Sequence, residues 1–141
     1  MPMLRFSWVT VVSLFVAFAS VAPVAAADVE FVGTWRQVYS TGGKCADCTV
    51  VIRSDPDLQV DASNGWTADL KAKMISGEQA LIGSGSWPGS ASAGAKARTL
   101  SAAFKIRQDK LLLIMQIIDP NGSRIRVHAV FERLTVPKSS I

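Results

Sequence analysis

Almost all of the chain beyond residue 28 alternates apolar and polar residues with a period of two, and that alternation limits what it can fold into. The clearest stretch is Trp66–Met74, where Trp66, Ala68, Leu70, Ala72 and Met74 interleave with Thr67, Asp69, Lys71 and Lys73. Successive side chains on a β-strand point to opposite faces, so such a segment buries one face and wets the other. A helix would scatter the same residues around its circumference. No long 3.6-residue pattern occurs in this region, which predicts an all-β fold.

Eight such segments can be delimited. The first is Phe31–Ser40, with Phe31, Gly33, Trp35, Gln37 and Tyr39 on one face. Thr49–Arg53, Leu58–Ala62, Trp66–Met74 and Ala80–Trp87 follow, then Arg98–Arg107, Lys110–Asp119 and Arg124–Leu134. Turn signals separate most of them: Asp55-Pro56-Asp57, Asn64-Gly65, Ser76-Gly77-Glu78, Gln108-Asp109 and Asp119-Pro120-Asn121-Gly122. The two longer connections are Thr41–Cys48 and Pro88–Ala97. Short turns make consecutive strands antiparallel neighbours, and an open sheet of eight would leave two bare edges. Closure removes both edges, so the predicted fold is an eight-stranded antiparallel up-and-down β-barrel, with a two-sheet sandwich as the alternative.

Ahead of this region, Arg5 precedes an apolar run from Trp8 to Ala22, and Ala25-Ala26-Ala27 supplies a small-residue cleavage site before Asp28. The pattern is that of a signal peptide over residues 1–27, leaving residues 28–141 as one periplasmic or secreted barrel domain. A membrane anchor is the competing reading; Pro23 and the small-residue site favour cleavage. No cysteine follows the apolar run at a lipidation position, and no twin-Arg pair precedes it. The formal charge of +4 loses Arg5 on cleavage and stays mildly positive. Basic residues are scattered among acids, whereas a nucleic-acid groove requires clustering.

Cys45 and Cys48 are the two cysteines of the chain. In an exported protein this pair is most simply a disulfide across a tight loop. A redox-active pair at this spacing relies on a following helix to lower the first thiol's pKa, and Thr49-Val50-Val51-Ile52 predicts a strand instead. No His follows Cys48, which excludes covalent haem attachment. A redox pair and a metal or free-thiol site remain the alternatives to the structural bridge.

Gly33-Thr34-Trp35 opens the first strand, and Arg133 lies in Phe131-Glu132-Arg133-Leu134, in phase with the inward Phe131. This resembles the Gly-x-Trp signature of calycin-type barrels: lipocalins, avidins and small secreted bacterial metalloprotease inhibitors. In those families the Trp closes the floor of the barrel and an Arg from the last strand packs over it. The resemblance implies that Gly33, Trp35 and Arg133 form a structural floor, with a cation over an indole face. Lipocalins carry a helix after the last strand, and none is expected here. The chain departs from the inhibitors in having cysteines only two residues apart, and from avidins in lacking their polar ligand constellation. The resemblance implies a fold and transfers no ligand.

In an up-and-down barrel the connections after strands one, three, five and seven share the end opposite that floor. Tyr39, Trp66 and Trp87 all lie next to those connections, so they are expected to rim the mouth, with Pro88–Ala97 as a lid. Aromatics around a concavity suit a small apolar or sugar-like ligand, or a protein partner. Gly83–Gly89 lacks the Lys-Ser/Thr of a phosphate-cradling loop; it is similar to the Ser/Gly loop of bacterial lysozyme inhibitors. The one histidine, His128, falls on an outward phase, and Asp55, Asp57 and Asp61 complete no cation-binding pattern. The expected function is non-catalytic binding, without cofactor or metal. The alternatives are an inhibitor of an extracytoplasmic hydrolase (protease or lysozyme) and a structural envelope protein. The latter would assemble through the seventh strand, which is apolar on both faces. Its outward Leu112, Ile114 and Ile118 call for cover, either by Val136–Ile141 or by a homo-oligomeric interface.

Overall fold

A computed structural model of the chain describes residues 29–43, 45–88 and 96–134. The strands are β1 Gly33–Ser40, β2 Thr49–Arg53, β3 Gln59–Ala62, β4 Thr67–Ile75, β5 Glu78–Trp87, β6 Arg98–Arg107, β7 Lys110–Ile118 and β8 Arg124–Arg133. Each pairs antiparallel with the next, and β8 pairs with β1, so the sheet is a closed up-and-down barrel in sequence order. The expected signal segment, the tail Val136–Ile141 and most of the Pro88–Ala97 connection lie outside the described residues. Cys45 and Cys48 form a disulfide with Cα atoms 5.4 Å apart, tying the base of the β1–β2 connection.

The lumen is apolar and the exterior is charged. Phe31, Trp35, Ile52, Val60, Leu81, Phe104 and Leu111 are fully buried, and the buried described residues include no polar or charged side chain. Burial of each such side chain is worth about 1.5–3 kcal/mol. Arg36, Asp69, Lys71 and Lys73 stand on the exposed side of the sheet, the reverse of a lipid-facing barrel. Glu132 on β8 ties Arg36 of β1 to Lys110 of β7. The Arg36 hydrogen bond and then that of Lys110 hold its carboxyl below the usual glutamate range.

Three details differ from the sequence pattern. Phe31 is buried in the turn before β1 rather than within it. Ala72 and Met74 sit on the inward phase of β4 yet are exposed, Met74 by 63%. Their exposure follows from the shortness of β3: it pairs with β4 only from Asp61↔Thr67 to Gln59↔Asp69, so the β4–β5 hairpin overhangs the barrel beyond that point. The third difference is a bulge in β1. Gln37 pairs with Phe131 and Tyr39 with Val130, leaving Val38 as an extra residue. One inserted residue inverts the phase that follows.

Gly83 and Gly85 lie within β5, opposite Leu70 and Ala68, not in a loop. A Cβ on Gly83 would overlap the Asp69 carbonyl, and one on Gly85 the Thr67 carbonyl, with Ala68 Cα only 2.6 Å away. Glycine here lets two backbones approach closely where the sheet coils into a barrel corner. The overlap is with backbone, which cannot swing aside. Gly85→Ala is therefore expected to destabilise the fold by about 3 kcal/mol, the upper end of overpacking costs. Urea unfolding of the purified variant measures this; a loss under about 1 kcal/mol would show that the strands are not in such contact.

Candidate functional site

The two ends of the barrel are built differently. At the floor, Trp35 Nε1 donates to the Phe31 carbonyl at 2.9 Å, and the Arg133 guanidinium lies 4.2 Å from the Trp35 ring centroid. Arg133 also donates to the carbonyls of Val32, at 3.0 Å, and Glu30. These bonds fold the segment before β1 over the end of the barrel. Trp35 and Arg133 are direct partners across the β1–β8 pairing, so their stacking joins the first strand to the last. Gly33 has φ +143, and a Cβ there would come within 2.8 Å of the Arg133 guanidinium. The structure thus brings Gly33, Trp35 and Arg133 together, and glycine serves both backbone and packing.

At the other end the lumen opens into a cavity of ≈ 400 Å³. Trp66, Trp87, Arg98, Met115, Val127 and Ala129 are among its lining residues, with the disulfide and Asn64 at the rim. Several of its lining positions are small, Ser40, Gly42, Gly43 and Ala129 among them, so little side chain projects into the space there. Trp66 is buried and stacks on Phe104, with ring centroids 6.5 Å apart and planes 19° from parallel. That contact anchors one wall of the mouth to the filled half of the barrel. Ile125 is on the inward phase at the mouth and remains 44% exposed, an apolar side chain facing the opening.

Arg98 is the residue that sequence reasoning passed over. Its guanidinium lies 4.6 Å from the Trp87 ring centroid, and its Nε is 3.8 Å from Asp119. A signal for it was present: Trp87 and Arg98 are register partners flanking the β5–β6 connection, and Arg98 shares the inward phase of Leu100 and Ala102. The stack offers a ligand a flat apolar face and a cation already partly neutralised by Asp119.

Trp66 and Trp87 share the cavity, and Tyr39 does not. Tyr39 is 57% exposed and lines a separate depression with Val38 and Ala46 on the outside of the barrel. The bulge at Val38 is the physical reason, because it turns Tyr39 outward and Ser40 inward. His128 lies on the outer face of β8, paired with Ile114. Among the described residues no group of His, Cys, Asp and Glu side chains converges to hold a metal ion.

Comparison with known protein families, with curated proteins and with solved structures finds no match. The chain's own geometry defines its class: a closed, eight-stranded, antiparallel up-and-down β-barrel with one sealed end and one hollow end.

Arg133→Ala is expected to lower stability by about 1–2 kcal/mol, through the lost cation–π contact and the lost packing of its alkyl stem. Denaturant unfolding measures it; an unchanged midpoint would mean that Arg133 does not secure the floor.

Proposed function

We propose that this chain is an exported, non-catalytic binding protein that takes a small ligand into the open end of a calycin-like barrel. The observation that carries this reading is the ≈ 400 Å³ hollow between Trp66, Trp87 and Arg98, within the range of about 300–1,000 Å³ typical of ligand pockets. Its lining is mixed: Trp66, Trp87, Met115 and Val127 offer apolar faces to a ring-shaped body, and Gln37, Asn64 and Arg98 fit polar substituents on it. The floor of Gly33, Trp35 and Arg133 supports the calycin likeness and takes no part in binding. A barrel filled throughout would favour the alternative, an inhibitor presenting its loops to an extracytoplasmic hydrolase. Here the space at the mouth favours the ligand.

Native mass spectrometry of the protein purified from its own host tests this directly. A retained small molecule is the expected result, displaced when Ala129→Phe fills the cavity while the variant stays folded. Recovery of a hydrolase bound to both forms would replace the ligand reading with the inhibitor one. Recovery of a bare chain, together with no binding of the apolar dye anilinonaphthalene sulfonate, would leave neither standing.

A further inference from the structure

A second concavity lies on the outside of the barrel, across β4 to β8, with a volume of ≈ 810 Å³. Strand register explains its shape. One row across the outer face reads Lys71, Ile82, Ala103, Ile114, His128, and the next reads Asp69, Ser84, Ser101, Gln116, Arg126. Ala103, Ser84 and Ser101 are short, so the floor over β5–β7 is low, while the long side chains of β4 and β8 stand as walls. That floor is two strand spacings across, about 10 Å, the width of one extended polypeptide with its side chains.

The basic residues on the two walls differ from most of those on the other strands. Arg36, Arg53, Arg98, Lys105, Arg107 and Lys110 each have a carboxylate partner. Lys71 and Lys73 on β4, and Arg126 with its same-face neighbour Arg124 on β8, have none among the described residues. Asp69 is the one acid in the groove lining. Ile114, the most exposed of the outward side chains of β7, lies on the floor between them.

These features select among occupants. A lipid with one acidic head would satisfy one wall and leave the other, and a flat bilayer cannot reach a sunken floor. A second copy seating the same groove would set Lys71, Lys73, Arg124 and Arg126 against their own equivalents, a like-charge arrangement that opposes pairing. A uniformly charged polyanion would leave Ile82, Ala103 and Ile114 without partners. We propose that the groove docks an extended segment of another protein in which acidic residues flank apolar ones. Its apolar side chains rest on Ile82, Ala103 and Ile114, its carboxylates reach the two walls, and Ser84, Ser101 and Gln116 offer hydrogen bonds to its backbone. Exposed ion pairs are individually weak and salt-sensitive, so binding needs several of them together with the apolar floor. This site is separate from the mouth and does not depend on what the mouth holds.

The test uses fluorescence anisotropy of a labelled glutamate–tyrosine random copolymer, with polyglutamate and phosphatidylglycerol vesicles as comparisons. The copolymer is expected to bind the wild-type protein at least about tenfold more tightly than polyglutamate does. The double variant Lys71→Glu/Arg126→Glu is expected to lose at least about tenfold in copolymer affinity while keeping its thermal unfolding midpoint. If that variant unfolds, Lys73→Gln/Arg124→Gln gives the same comparison with smaller changes. The proposal is overturned if the copolymer does not bind, if folded variants bind it as well as wild type, or if vesicles bind as tightly as the copolymer. It is also overturned if light scattering shows a wild-type dimer that Ile114→Lys separates, because a second copy would then occupy the groove.

Discussion

The pairing of the first strand with the last is the constraint on which everything else in this barrel depends. Seven of the eight strand pairings join neighbours in sequence, through connections of at most about ten residues. The eighth, β1 with β8, spans nearly the whole described chain and must be held against the entropy of a long loop. Trp35 and Arg133 sit directly across that seam, and Arg133 also binds the carbonyls of Val32 and Glu30. One guanidinium therefore joins the two strands and the segment that caps the floor. On the outer face of the same seam, Glu132 of β8 is linked to its partner Arg36 of β1 and to Lys110 of β7, though such exposed pairs are weak on their own.

Once the seam is closed, side-chain size decides what the lumen contains. Near the floor the inward positions carry Phe31, Trp35, Phe104, Leu81 and Leu111, and their packing leaves no exposed surface. Near the mouth the lining includes Ser40, Gly42, Gly43 and Ala129, and space remains between them and the walls. The same sheet thus gives a rigid base and a hollow end, with the Trp66–Phe104 stack connecting the two. A site carried on strands and backed by a solid core is held more precisely than one carried on loops. The glycines of β5 serve this shape, since Gly83 and Gly85 let β5 lie close against its neighbour β4.

Alternation was legible wherever a strand has full neighbours on both sides. β6, β7 and β8 follow the period-two pattern closely, with Leu111, Leu113, Met115 and Ile117 inside. It misled where burial depends on something other than the strand itself. Ala72 and Met74 fit the inward pattern, but the brevity of β3 leaves them without a neighbour to cover them. Tyr39 shared a phase with Trp35 until one extra residue entered β1, and Val38 carries no Gly or Pro to announce it. The Ala80–Trp87 strand was legible despite Gly83-Ser84-Gly85-Ser86, but the reason for its glycines was not: their absent side chains permit close contact with β4. Of the mouth, Trp66 and Trp87 could be found from their position beside the connections. Arg98 required reflecting Trp87 through the β5–β6 hairpin, and the groove on the outer face required the register of five strands at once.

The sharpest measurement follows the indole N–H signals of Trp35, Trp66 and Trp87 in proton–nitrogen correlation spectra while anilinonaphthalene sulfonate is titrated into the protein. A ligand held in the hollow end shifts the Trp66 and Trp87 signals in step with binding. It leaves Trp35 unmoved, because that indole is bonded to Phe31 beneath the filled half of the barrel. Saturable dye binding that leaves Trp66 and Trp87 unshifted, or that moves Trp35 as much as either, would contradict a barrel with a sealed floor and a ligand-binding mouth.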